Sequence, residues 1–365
     1  MAGSLAQIAE HIAALAADTP SAVAPATTPR GTARPPPARV APRPPPAARA
    51  AGAALPASAA SAATTPVLPG VDPKLAHAIL DEALVERPDV RWTDIIGLAA
   101  AKQALYEAVV LPSKRPELFR GLRAPARGVL LYGPPGTGKT MLAKAVAHES
   151  RARFFAVSAA SLLSKWLGEG EKTVRALFAV ARATAPAIIF IDEIDSLLKA
   201  RSENEHEASR RIKTEFFLQS DGLATDQDER LLVLGATNRP QELDAAALRR
   251  FPRRIYIPLP EPATRGALLA ALLEQQPHTL TPRQLEQLVA RTDGYSGSDL
   301  TALAREASMG PLRELGDRLC DVPVDQIRAL ALADFLAALK EVRPSVPAEA
   351  LQIYEAWAQY GSQGQ

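Results

Sequence analysis

The run Gly133-Pro134-Pro135-Gly136-Thr137-Gly138-Lys139-Thr140 constrains this chain more than any other feature. It stands between an apolar stretch at 129–132 and a helical pattern at 141–146. A glycine-rich loop that joins a strand to a helix turns its backbone N–H groups inward and aims the helix N-terminus at the same point, which suits phosphate. In that frame Lys139 reaches the β- and γ-phosphates and Thr140 supplies a hydroxyl to Mg2+. Four further apolar runs follow at 154–157, 188–191, 231–234 and 255–257, separated by helical patterning. Strands that alternate with helices predict an α/β fold, a doubly wound parallel sheet covered on both faces.

The run at 188–191 ends in Asp192-Glu193. Asp192 is placed to hold the Mg2+ shell, and Glu193 can orient and polarise an attacking water. With the phosphate loop, these carboxylates specify hydrolysis of a nucleotide. Asn238 closes the next apolar run. Its amide either hydrogen-bonds the γ-phosphate or the water, or serves a turn before Pro240. Arg249, Arg250, Arg253 and Arg254 put four guanidinium groups in six positions. They either neutralise charge during phosphoryl transfer or form a solvated face.

Composition divides the rest. Thirteen of the 32 prolines fall in residues 1–70, with five arginines and two acids there, so this segment carries +3 and residues 71–365 carry 37 minus 38, or −1. Proline runs cannot sustain helix or sheet ladders, so 1–69 is expected to be a disordered Pro/Ala/Arg arm. Such an arm either attaches loosely to a polyanion or is a solvating spacer. Its basic excess lacks interleaved aromatics, which argues against nucleic acid. Asp72-Pro73 reads as an N-cap followed by proline at the first helical position, leading into Leu75, Ile79, Leu80 and Leu84. We expect a linker helix within 70–92, a large α/β domain at 93–260, a small all-helical domain at 261–345 and a C-terminal helix and tail at 346–365. The helical domain is predicted from stripes at Leu268, Leu269, Leu272 and Leu273, then Leu285, Leu288 and Val289. A lone Cys320, no secretory pattern in residues 1–25 and no apolar window of ~20 residues lead us to expect a soluble protein of a reducing compartment, cytoplasm or nucleus, without a membrane span.

Together these residues resemble a AAA ATPase, within the subgroup of spastin, katanin, fidgetin and the ATPase that disassembles ESCRT polymers. The resemblance covers about 71–360 and is most spastin-like at 115–127, 168–182 and 292–303. It implies that Arg249 and Arg250 act on the nucleotide of a neighbouring subunit, hence a homohexameric ring formed with ATP. It also implies that Asp94, Ile96 and Gly97 lie against adenine, that Gly133, Pro134, Pro135, Gly136, Thr137, Gly138, Lys139, Thr140 and Met141 hold the nucleotide, and that Gly297 and Ser298 form a second sensing region. Lys165, Trp166 and Leu167 resemble the first pore loop; His206, Arg210 and Arg211 belong to the second. An aromatic preceded by a lysine would grip an extended acidic chain. The implied partner is the acidic C-terminal tail of tubulin, with microtubule severing as the activity and the cytoskeleton as the location. Tryptophan at 166 is the habit of the ESCRT-disassembling relatives, so an ESCRT polymer is the alternative substrate. A nucleotide-regulated microtubule-binding protein without severing is a second alternative.

Overall fold

The computed structural model describes residues 72–83, 89–164, 170–200, 207–225, 230–274 and 276–362. The Pro-rich arm, Leu84, and the pore-loop candidates Lys165, Trp166, Leu167 and His206 lie outside these residues.

Five strands, β1 (Gly128–Tyr132), β2 (Arg153–Ser158), β3 (Ala187–Asp192), β4 (Leu231–Thr237) and β5 (Arg253–Tyr256), form one sheet in the order β2-β3-β4-β1-β5. Every pairing is parallel. This is the doubly wound sheet expected from the alternating runs. Because such a sheet is covered on both faces, its central strands carry no polar alternation, and all five residues of β1 are buried. Side chains alternate between two cores. One face presents Leu130, Ile189, Ile191, Leu231 and Val233 to a first cluster. The other presents Val129, Leu131, Ile188, Phe190, Leu232 and Leu234 to a second.

The first face is covered by α1 (Pro73–Ala83), α5 (Gly170–Ala183) and α7 (Glu207–Thr225), the second by α2 (Ala99–Leu105) and α3 (Lys139–Ser150). Between them in sequence run α4 (Ala159–Ser164) after β2, α6 (Asp195–Leu198) after β3 and α8 (Ala245–Arg250) before β5. Asp72 caps α1 as expected, its carboxylate accepting from the Lys74 N–H at 2.9 Å. Yet α1 is no free connector: Leu75, Ala76, Ile79 and Leu80 are buried in the first core. The last strand begins earlier than the apolar run at 255–257 indicated. Arg253 pairs with Val129, and Ile257 only donates its N–H to Tyr132 O at 2.8 Å beyond the strand end. An edge strand tolerates arginines because one side of it is open.

From Pro262 onward the described elements are helical: α9 (Pro262–Leu273), α10 (Pro282–Arg291), α11 (Gly297–Ser308), α12 (Gly310–Leu315), α13 (Leu332–Glu341) and α14 (Ala348–Ser362). Leu269, Leu273, Leu288, Leu300, Leu303 and Phe335 form a third core. The apolar stripes therefore turn inward, with Leu268, Leu285 and Val289 packed around its rim. α14 leaves this core and returns to the sheet, where Trp357 packs against the first cluster. None of the described helices is long and apolar enough to cross a membrane.

Candidate functional site

Parallel register brings the ends of β1, β3 and β4 to one edge of the sheet, where ligands of such folds are held. Tyr132 lies beside Thr237, so the loop after β1 and Asn238 after β4 leave the sheet side by side; Asp192 ends β3 on the far side of β4. Thr140, at the start of α3, donates its hydroxyl to Asp192 Oδ2 at 2.9 Å, and the Glu193 N–H donates to Asp192 Oδ1 at 2.9 Å. Two hard oxygens thus meet beside the glycine-rich loop, a donor set that fits Mg2+ completed by phosphate oxygens and water.

Glu193 is exposed and has φ +49°. A non-glycine residue in the left-handed region is uncommon and strained, and such strain collects at functional sites. It turns the glutamate away from the apolar strand that precedes it. Lys139 is 7% exposed, and its ammonium donates to the carbonyls of Gly133 at 2.9 Å and Pro134 at 2.7 Å. Burial pushes its pKa down to about 8, opposed by the Asp192 carboxylate. A phosphate placed in the loop would supply far stronger compensation for this buried charge than two carbonyls.

The loop is shaped partly from outside. Thr137 donates its hydroxyl to Pro134 O at 3.0 Å, and Ser298 at the start of α11 donates its N–H to Gly136 O at 3.2 Å. Gly297 and Ser298 therefore reach the phosphate loop from the helical core. Gly97 abuts α9: a Cβ there would stand 2.6 Å from Thr264 Cγ2. Ile96 is half-buried in the same turn. The Asp94 carboxylate accepts from the Arg91 N–H at 2.8 Å and the Thr93 hydroxyl at 3.2 Å, so it caps its own turn. Met141 is 45% exposed beside the loop.

Arg249 and Arg250 sit at the opposite end of the sheet. A Cβ on Gly128, the first residue of β1, would stand 1.9 Å from Arg250 O. Gly133 lies five residues further along, roughly 16 Å at strand rise. The two arginines differ. Arg249 is exposed, whereas Arg250 donates from Nε to Asp221 Oδ1 at 2.9 Å, pairs with the second Asp221 oxygen, and lies 4.7 Å over the Phe217 ring. Arg250 is thus bound to α7 of its own chain. A cavity of about 1060 Å3 opens beside them, lined in part by Phe119, Arg120, Pro186 and Asp221.

The two helices that follow the pore-loop candidates are fastened together. Arg175 on α5 makes a two-pronged pair with Glu215 on α7 at 3.0 and 3.1 Å, and Arg182 donates to the Gln219 amide oxygen at 2.7 Å. A Cβ on Gly170 would stand 2.4 Å from Ile212 Cδ1, so the helices touch. Arg210 and Arg211 are exposed in the first turns of α7, and Arg211 pairs with Glu207 one turn back.

Residues 129–259 match the ATPase family associated with various cellular activities (AAA), 284–326 the AAA+ lid domain, and 318–361 the Vps4 C terminal oligomerisation domain. Spastin of Ixodes scapularis is 58% identical over 293 residues, covering 80% of this chain and 45% of that protein. Fidgetin-like protein 1 of Caenorhabditis briggsae is 56% identical over 292 residues, covering 80% and 49%. The crystal structure of the FIGL-1 AAA domain in complex with ADP superposes with a TM-score of 0.75 at 53% identity, covering 81% of this chain and 99% of that one.

The chain belongs to the AAA ATPase family. Its subgroup is that of spastin, katanin and fidgetin, and it spans about half the length of the curated relatives it matches. Several residues that build this AAA ATPase site gave no signal in sequence. Lys102 on α2 donates to the carbonyls of Trp92, at 3.0 Å, and Ile95, fastening the turn that carries Ile96 and Gly97. Partial burial lowers its pKa, as expected for an ammonium that has traded water for two carbonyls. Thr264, Asp221 and Tyr354 were equally silent, since each acts through a neighbour distant in sequence.

Gly136 tests the seam between loop and helical core. It has φ +74°, and a Cβ would stand 2.6 Å from Ser296 Oγ and 2.9 Å from Ser298 Cβ. Gly136→Ala must strain the loop or push α11 away. We expect ADP affinity to fall by roughly tenfold, since left-handed alanine alone costs about 1–2 kcal/mol. Titration with fluorescent ADP reads this directly, and unchanged affinity would show that the seam yields freely.

Proposed function

We propose that this chain is an ATP-driven homohexameric ring that grips acidic tubulin C-terminal tails in its pore and severs microtubules. The observation that carries the ring is the separation of the phosphate loop from Arg249, at opposite ends of β1. An arginine so far from its own phosphate loop could meet a phosphate only on the next copy, and a head-to-tail contact repeated by rotation closes a ring. The match at 318–361 to an oligomerisation domain supports assembly in the same direction.

In this reading Thr140 and Asp192 hold Mg2+, which supplies charge neutralisation at the phosphates when bound. Lys139 exchanges its two loop carbonyls for phosphate oxygens. Glu193 takes the proton of the attacking water, Asn238 holds that water or the γ-phosphate, and Arg249 of the adjacent copy offsets equatorial charge. Gly297 and Ser298 carry the change at the loop into the helical core, whose tilt moves the pore segments. Lys165, Trp166, Leu167, His206, Arg210 and Arg211 are the proposed grip. The Arg175–Glu215 and Arg182–Gln219 bonds make the two helices behind them move together. The proposed location is the microtubule cytoskeleton of the cytoplasm, with the nucleus as a further site.

The test is ATPase activity with and without microtubules, alongside imaging of surface-bound filaments. Stimulated turnover with filament breakage is the expected result. Stimulation without breakage would favour a nucleotide-regulated binder, and absence of both would remove tubulin as the substrate while leaving the ATPase. A second reading, disassembly of an ESCRT polymer, is favoured by Trp166. Pull-down with ATP-locked protein, comparing tubulin with ESCRT subunits, separates the two.

A further inference from the structure

The C-terminal helix reaches the phosphate end of the sheet through one hydrogen bond and a chain of rings. Asn238 stands one residue past β4 and is fixed from two sides. On one side Thr237 donates its hydroxyl to Asp195 Oδ1 at 2.6 Å and accepts from the Arg239 N–H at 2.9 Å. On the other, the Tyr354 hydroxyl donates to Asn238 O at 2.6 Å, across 116 positions of sequence. The Asn238 side chain has no comparable anchor: its Oδ1 is enclosed and accepts no hydrogen bond among the described residues. A buried amide oxygen without a partner is unusual, and the anchored backbone fixes where the Asn238 side chain begins.

Tyr354 is itself 7% exposed, and its ring stacks on Tyr256 at 6.5 Å between centroids. Tyr256 stacks on Tyr132 at 5.4 Å, and Trp357 meets Tyr132 edge-on at 4.5 Å. Tyr132 directly precedes the phosphate loop. Arg254 lies 5.7 Å over Trp357 and closes the cluster from the edge strand. The helix therefore grips the ends of both β1 and β4. A cleft of about 360 Å3 remains between Pro135 and Ile353, bordered by Asn238, Arg239, Gln241 and Tyr354. The rings hold the helix, while the hydroxyl bonds the Asn238 backbone.

We propose that Tyr354 is a positioning residue that sets Asn238 for hydrolysis and so makes turnover depend on docking of the C-terminal helix. This rests on the reading of Asn238 as a ligand of the γ-phosphate or the attacking water, and not on the choice of polymer substrate. Loss of the hydroxyl leaves the ring cluster intact but releases the carbonyl, so the chemical step suffers more than binding does.

The test uses the full chain as Tyr354→Phe, Asn238→Ala and the double variant. ATPase kcat and KM are measured at protein concentrations that saturate specific activity, and particle mass with ATP is measured for each. For Tyr354→Phe we expect kcat to fall roughly threefold to tenfold, the range of one neutral hydrogen bond, with KM for ATP within about twofold and ring mass unchanged. The double variant should be no slower than Asn238→Ala alone, since Tyr354 acts through Asn238. A multiplicative loss in the double variant would overturn the proposal, as would a defect that disappears when protein concentration is raised, which marks an assembly role. Full activity of Tyr354→Phe beside an impaired Asn238→Ala overturns this proposal alone. Full activity of Asn238→Ala removes the reading of Asn238 and this inference with it.

Discussion

Glu193→Gln will stop ATP turnover while leaving ATP bound and the ring assembled. The glutamate follows Asp192 at the end of β3, and its φ of +49° turns it away from the buried strand. Glutamine keeps the size and can still hold a water, but it cannot take a proton. Removing a general base of this kind costs about 10²–10⁴-fold. The Asp192 contacts to Thr140 and to the residue 193 N–H involve no Glu193 side-chain atom, so the Mg2+ donor set survives the change. Rapid-quench turnover of bound ATP, with particle mass read in parallel, checks both halves. Turnover within tenfold of wild type would take the base role from Glu193. A fall in affinity as large as the fall in rate would show that the side chain serves binding instead.

Arg249→Ala will cost about 10³–10⁵ in kcat, the range for a guanidinium supplied to a phosphoryl-transfer transition state. The loss should be curable from outside. Lys139→Ala cannot hold the phosphates but presents an intact Arg249, and Arg249→Ala has the opposite deficiency. When the two inactive proteins mix at equal ratio, about a quarter of random head-to-tail seams join a working loop to a working arginine. Activity should therefore reappear, up to about a quarter of wild type. A site completed within one chain gives no such recovery, and an inactive mixture would refute the ring seam. Arg250→Ala should behave differently. Its guanidinium is held by Asp221 and Phe217 on α7, so the variant loosens α8 from that helix as well as changing the seam.

Much of this arrangement was legible beforehand because it is local. The glycine run and the acid pair each depend on residues within a few positions of one another, and strand burial follows from unbroken apolar runs. Two side chains make contacts that their spacing did not indicate, for equally physical reasons. Asp94 belongs to the segment 94–97, but its carboxylate satisfies its own turn, which short acidic side chains readily do. Arg250 stands beside Arg249 in sequence, yet helical geometry sends adjacent side chains in different directions, one to solvent and one to Asp221. Lys102 could not be singled out, since a lysine on an amphipathic helix reads as solvated until the turn above it is in place.

By itself the sequence determined the nucleotide chemistry, the parallel sheet and the division between strand-bearing and helical parts, all of which follow from short-range spacing and hydrophobic period. Tertiary structure alone decided which end of the sheet each charge occupies, that Ser298 touches the phosphate loop, and that Tyr354 reaches Asn238. Those contacts join segments more than a hundred residues apart. No local period encodes such a meeting, because it exists only once separate apolar faces have been buried against one another.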